Sequence, residues 1–240
     1  MPSPAKRDLD LPEITAAAVR LLAARGYEAT TAGELADAAG MSRSTFFRRF
    51  RSKDDVVFAD HERLLDEIEA FLDRTTLDPA RALARAARMV LDHHLANPEA
   101  AVLRYRLLRE TPTLRDRELV ITHGYERLFT KHLERALPSS TPVWMPVAYG
   151  AGVVAVHNSI LRRWLRDPSL PAGDALDAEL AELGGLFASD ADGGARGRGG
   201  EGAGSEPRRV VVAVMDAGAS TDDVLRAVER GLREREQPGG

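Results

Sequence analysis

"TTAGELADAAGMSRSTFFRRFRSKDDVV", residues 30 to 57, decides how this chain is read. Thr31 and Glu34 have the Thr-x-x-Glu spacing of a capping box, which opens a helix, and Gly40 is a residue at which a helix stops in a left-handed turn at little cost. Ser42 then caps a second short helix, and Ser52 with Asp55 repeats the box at the start of a third. Leu35, Ala36, Ala39, Met41, Phe46 and Phe50 are spaced to form a small core joining the first two of these helices. Five cations, Arg43, Arg48, Arg49, Arg51 and Lys53, share the same short run. The alternation of phenyl and guanidinium predicts phenyl groups turned inward and cations turned outward.

The charge is local. The 240-residue chain has a formal net charge of −4, so any affinity for a polyanion must come from charge placement. Residues 1 to 60 contain nine basic and nine acidic side chains, which cancel. The chain as a whole has thirty arginines against three lysines, a bias read as coding composition. Cysteine is absent, which excludes disulfides, Cys-ligated zinc and thiol nucleophiles. The start, "MPSPAKRDLD", has no apolar targeting core, and no stretch is long and apolar enough to span a bilayer, so a cytoplasmic protein with no membrane partner is expected.

Two short helices joined by a glycine turn, the second bearing exposed basic and hydroxyl side chains, meet the requirement for helix-turn-helix reading of double-stranded DNA. In this reading Arg43 presents a bidentate fork to guanine, and Ser44 and Thr45 reach bases or phosphate. Arg48, Arg49 and Lys53 lie beside the flanking backbone and supply affinity and register.

The quoted stretch resembles the TetR-family signature: a Thr-led helix, an Ala-Gly turn, a Thr-aromatic-aromatic recognition helix, then Ser-Lys-acidic-acidic. The likeness covers about residues 10 to 60. It implies DNA-contacting roles for Thr31, residues 43 to 45, Phe47 and Lys53. Phe47 stands where the family usually has Tyr, so one phosphate hydrogen bond is lost and Arg48 or Arg49 would compensate; contact with the DNA backbone and simple packing both stay open for this ring. The resemblance further implies a homodimer joined through the last long helices, with a ligand pocket in a C-terminal helical bundle. "RLLRETPTLRDRELV" and "HNSILRRWLRDP" resemble segments of many members and specify no ligand.

Outward from this stretch nearly everything reads as helix, and the expected fold is all-α: an N-terminal three-helix helix-turn-helix DNA-binding domain plus a C-terminal helical bundle. Asp10 and Glu13 cap the first helix, and Gly26 before Tyr27 predicts a Schellman-type stop. The helix opened by Ser52 carries Val57, His61, Leu64, Ile68, Phe71 and Leu72 on one face. Asp78-Pro79, Asn97-Pro98, Thr111-Pro112, Pro138-Ser139 and Asp167-Pro168 punctuate the remainder. Residues 143 to 161, "VWMPVAYGAGVVAVHNSIL", are apolar nearly all round, which predicts burial on two sides, with Ala148, Gly150, Ala151 and Gly152 admitting a second helix closely. The expected layout is a DNA-binding domain at 10–70, a ligand-binding and dimerisation domain at 76–188, a Gly-rich linker at 189–209, and a segment at 210–236 comprising the strand-like "VVVAVM" and a helix.

His94, Tyr125, His132 and Asn158 lie on otherwise apolar helix faces. A buried polar group must be hydrogen-bonded, by its own chain or by a ligand, so these four are the candidate contacts for a small-molecule effector. Arg104, Arg106 and Arg109 read as a solvated face, with a grip on an anion as the alternative. Adjacent His93 and His94 diverge on a helix and do not chelate one metal; HExxH, a Gly-rich phosphate loop and GxSxG are all missing. No metal, no cofactor and no catalytic residue is expected. The sequence thus points to a transcriptional regulator, a ligand-responsive repressor binding a palindromic operator as a homodimer. The alternative is a small-molecule-binding helical protein with a degenerate DNA-binding head.

Overall fold

A computed structural model describes residues 10–193, and nine α-helices are seen among them. The helices are α1 (Leu11–Arg25), α2 (Ala32–Ala38), α3 (Arg43–Arg49), α4 (Lys53–Arg74), α5 (Pro79–Ala96), α6 (Pro98–Glu110), α7 (Pro112–Ala136), α8 (Trp144–Arg166) and α9 (Ala172–Gly193). The all-α expectation is met. Their starts follow local chemistry: complete capping boxes join Asp10 to Glu13, Thr31 to Glu34 and Ser52 to Asp55, and Ser42 Oγ accepts the Thr45 amide. Asp78 and Asn97 cap α5 and α6, each with proline at the first helical position, where its missing N–H costs nothing.

Around α1 to α3 the expected small core forms: Leu35, Ala36, Ala39, Phe46 and Phe50 are buried, Met41 packs against them, and Ile14, Val19 and Leu22 of α1 close the cluster. The Phe46 and Phe50 rings meet at 5.1 Å. Gly40 has φ 67°, the left-handed turn between α2 and α3. Gly26 also has positive φ, 89°, but its ψ is 148°, so α1 ends in an extended glycine turn and not in the left-handed helical geometry of a Schellman stop.

Helix α4 links the two parts. Its first turns pack on α1 and its length continues against α5 and α7. Asp60 and His61 are buried at its middle, and Phe71, expected on the buried face, is partly buried and packs against the core. Behind α4, α7 lies on α8, α8 on α9, and α5 on α8 and α9.

The small residues of α8 serve this packing. A Cβ on Gly150 would sit 3.1 Å from Thr130 Oγ1 on α7, and one on Gly152 would sit 3.4 Å from Leu183 on α9. Close approach at these glycines is therefore made within the chain, not by a second subunit. Val154 is buried and Ala155 is exposed, so neighbouring positions on α8 point to opposite surroundings. Helix α9 continues to Gly193, past the position at which the linker was expected to begin. The rest of that linker, "VVVAVM" and the closing helix lie outside the described residues. No helix of the described residues is long and apolar enough to cross a membrane.

Candidate functional site

Two features stand out: the basic surface of α3 and a cavity enclosed by α4 to α8. On α3, Arg43, Ser44, Phe47, Arg48 and Arg49 are exposed, as are the neighbouring Thr31 and Arg51. Among the described residues, no carboxylate pairs with Arg43, Arg48, Arg49 or Arg51, whereas Arg25 nearby is held by Glu34 at 2.5 Å. The four guanidinium groups keep their donors for another partner.

The hydroxyl groups are more constrained. Ser42 Oγ lies 3.0 Å from Ser44 Oγ and 2.9 Å from Thr45 Oγ1, so the start of α3 is a small hydroxyl cluster around its cap. Thr31 Oγ1 donates to Glu34 Oε2 at 2.9 Å, and the hydrogen bonds from Thr31 hold the Glu34 carboxyl below its ordinary range. Phe47 is 48% exposed; its ring stands edge-on to Phe46 at 5.8 Å and under the Arg43 guanidinium at 5.8 Å. The ring thus steers Arg43 whether or not it meets DNA. Lys53 is tethered: Nζ donates to the Tyr27 carbonyl at 2.8 Å and sits 3.9 Å from the centre of the Tyr27 ring. The Tyr27 hydroxyl donates to Asp54, and burial followed by that carboxylate pushes the phenol up to about 12.

The cavity has a volume of about 90 Å³. Of the four expected ligand contacts, His94, Tyr125 and Asn158 line it. His132 does not: it is buried nearly two turns further along α7, its Nε2 unpartnered. Further residues complete the wall, chiefly Phe58 and His61 from α4, Arg104 from α6, Glu118 from α7 and His157 from α8; of these only Arg104 is a sequence candidate, as the alternative grip on an anion.

Arg104 overturns the solvated-face reading. It is 6% exposed, and its Nη2 reaches Asp60 Oδ2 at 2.6 Å, while Arg106 and Arg109 do face outward. The same Asp60 oxygen receives His93 Nε2 at 2.8 Å. Burial alone would raise the Asp60 carboxyl, but Arg104 and His93 hold it well below the usual carboxylate range. Asp60, His61 and His93 bring ligating atoms within 4.8 Å of one another, a grouping that adjacency of His93 and His94 did not suggest. The ion pair with Arg104 already accounts for the carboxylate. His61 Nδ1 meets the Tyr125 hydroxyl at 3.1 Å, and burial pushes His61 down to about 3 and His157 down to about 4. The cavity wall is therefore mainly apolar, with neutral imidazoles, Arg104 balanced by Asp60, and the charged pair of residues Glu118 and Arg162.

An exposed basic helix on a glycine-turn scaffold, followed by a helical bundle, defines the class: a helix-turn-helix DNA-binding regulator. Residues 14–59 match the family described as bacterial regulatory proteins, tetR family. A protein named as a mycofactocin biosynthesis transcriptional regulator, MftR, of Mycobacterium tuberculosis is 27% identical over 71% of this chain and 87% of its own. The fatty acid degradation regulator FadR from Bacillus halodurans is similar in fold, with a TM-score of 0.54 at 19% identity, covering 74% of this chain and 97% of its own. FadR from Bacillus subtilis, solved in complex with stearoyl-CoA, has a TM-score of 0.54 at 17% identity over 72% and 97%. Residues 14–59 thus resemble the DNA-binding head of TetR-family transcriptional regulators, and the similarity to the mycobacterial regulator supports a transcriptional regulator of that type.

Proposed function

We propose that the protein is a ligand-responsive repressor that binds a palindromic operator as a homodimer and is released by a small molecule seated in the cavity. One observation carries the reading: α4 begins directly after the recognition helix and also contributes Phe58 and His61 to the cavity wall. A ligand that spreads the wall tilts the helix that positions α3.

On the DNA side, the unpaired Arg43 at the start of α3 reads bases, and Ser44 and Thr45 assist it. Arg48, Arg49 and Thr31 meet phosphate, and Lys53 adds charge from its tethered position. Two copies related by a two-fold axis require half-sites whose centres are roughly 34 to 36 Å apart or a multiple of that. The second copy covers the exposed face of α8 that includes Val147 and Ala155, extended by Trp144 at 56% exposure. A cytoplasmic location follows from this role.

The cavity of about 90 Å³ is well below the roughly 300 Å³ at which drug-sized pockets begin, so most effectors have to separate helices to enter. That requirement links occupancy to movement. A long acyl chain, as in the stearoyl-CoA bound by the Bacillus subtilis neighbour, does not fit this space without a large opening. A tenfold loss of operator affinity needs only about 1.4 kcal/mol of differential binding. The test is a metabolite screen against the operator-bound protein: release by compounds that bind the bundle is expected. Binding without any change in operator affinity contradicts induction. The rival reading, a helical binding protein with a decayed head, is tested by a salt-dependent gel shift; it is disfavoured by the intact caps and free cations of α2 to α4.

A further inference from the structure

Two residues that line the cavity each carry a buried polar atom with no partner in the chain, Arg104 Nε and His157 Nε2. A buried polar group left unpaired is costly, so a pair of them around one cavity describes what the cavity is shaped to receive. Their chemistry differs. Arg104 Nε carries a hydrogen and only donates. His157 Nδ1 lies 3.2 Å from Asn158 Oδ1, an acceptor, so Nδ1 bears the single ring proton of the neutral imidazole and Nε2 presents a lone pair.

Formal charges around the cavity cancel. Arg104 is matched by Asp60 at 2.6 Å, and Glu118, whose carboxyl is raised by burial, is faced by the charges of Arg162 and Arg104. His61, His94 and His157 are kept neutral by burial. A ligand carboxylate would set its lone pairs against that of His157 Nε2, and an ammonium, which only donates, would set its hydrogens against that of Arg104 Nε.

We infer that the effector, on the reading of this cavity as the effector site, is a compact neutral molecule with an apolar body and a head that both accepts and donates a hydrogen bond, a hydroxyl or a carboxamide. Once the wall has shifted to uncover the two atoms, the head accepts from Arg104 Nε and donates to His157 Nε2. The body is held by Phe58, Ile121 and Val154. The volume of about 90 Å³ is smaller than the roughly 150 Å³ apolar cavity that takes benzene, so the body is of single-ring size at most before the walls part.

Isothermal calorimetry and thermal shift on the full chain with matched one-ring probes test this: phenol and benzamide against toluene, benzoate and benzylamine, with stearoyl-CoA as a long-chain control. Phenol or benzamide is expected to bind at least about tenfold more tightly than the other probes, because a site built to hydrogen-bond a group rejects analogues lacking it. Arg104→Lys keeps the charge and removes the Nε donor, and His157→Phe removes the acceptor; each is expected to bring phenol affinity down to that of toluene. Equal or tighter binding of benzoate, benzylamine, toluene or stearoyl-CoA overturns the neutral-head assignment and leaves the cavity as a binding site. No binding by any probe overturns the assignment together with the effector-site reading. The wild-type series stands even if a variant fails to fold.

Discussion

Arg117 of α7 reaches Asp55 in the first turn of α4, Nη2 to Oδ1 at 3.2 Å, and pairs with Glu62 at 2.6 Å. The other carboxylate oxygen of Asp55 accepts the amides of Arg51 and Ser52, the two residues between the C-cap of α3 and the start of α4. A helix that walls the cavity through Glu118, Ile121 and Tyr125 is therefore fastened to the turn that sets the recognition helix.

Arg117→Met is expected to loosen that turn. Both partners are partly exposed, so the stability loss is small, about 0.5–1 kcal/mol. Hydrogen exchange reads the effect: the Arg51 and Ser52 amides should exchange faster while the α8 amides do not change. Uniform acceleration, or none, breaks the proposed link.

Substitutions on α3 should separate specificity from affinity. Arg43→Ala is expected to relax base preference, and Arg48→Ala or Arg49→Ala to weaken all sequences alike, with the salt dependence shallower by about one unit per phosphate lost. Phe47→Tyr adds a hydroxyl to an exposed ring and should tighten binding to every sequence by a similar factor. Salt-series titrations on the preferred and a scrambled duplex check all four, and a sequence-dependent effect at Arg48 would reassign that residue.

The α8 surface makes a paired prediction. Ala155→Glu is expected to give folded monomers, because the residue is exposed on the face assigned to the second copy; Val154→Glu puts a charge into the cavity wall and should destabilise the bundle by several kcal/mol. Sedimentation and thermal unfolding distinguish them. A dimeric Ala155→Glu protein would move the interface to another face.

Stability should fall with acidification before the carboxylates titrate. Burial pushes His157 down to about 4, whereas an unfolded histidine binds its proton near pH 6.5, so the unfolded chain takes up protons first and stability is lost as pH falls from about 6.5 through about 4. His61, pushed down to about 3, extends the same loss to lower pH. His157→Gln is expected to lessen the slope in that window by up to about 1.4 kcal/mol per pH unit, measured by denaturant unfolding at stepped pH. An unchanged slope would mean that His157 is not buried neutral.

The caps at Thr31, Ser42 and Ser52 and the Phe46–Phe50 core were legible because each depends on residues only a few positions apart, and helix geometry fixes what such neighbours do. Cavity residues depend on which helices face one another. Arg104 read as solvated because its partner Asp60 is 44 residues away on another helix. Tyr125 and His132 share an apolar stripe of α7, yet only Tyr125 lies at cavity depth, and stripe position contains no information on depth. On α8, glycines suited to a subunit contact are used by Thr130 and Leu183 of the same chain, a choice that composition leaves open.

Selection of bound duplexes from a random pool, using the full chain, tests the central claim most directly. The expected outcome is one enriched palindrome with half-site centres roughly 34 to 36 Å apart or a multiple, lost in Arg43→Ala and bound by a dimer. Enrichment of no sequence, or of a site without two-fold symmetry, would contradict the account.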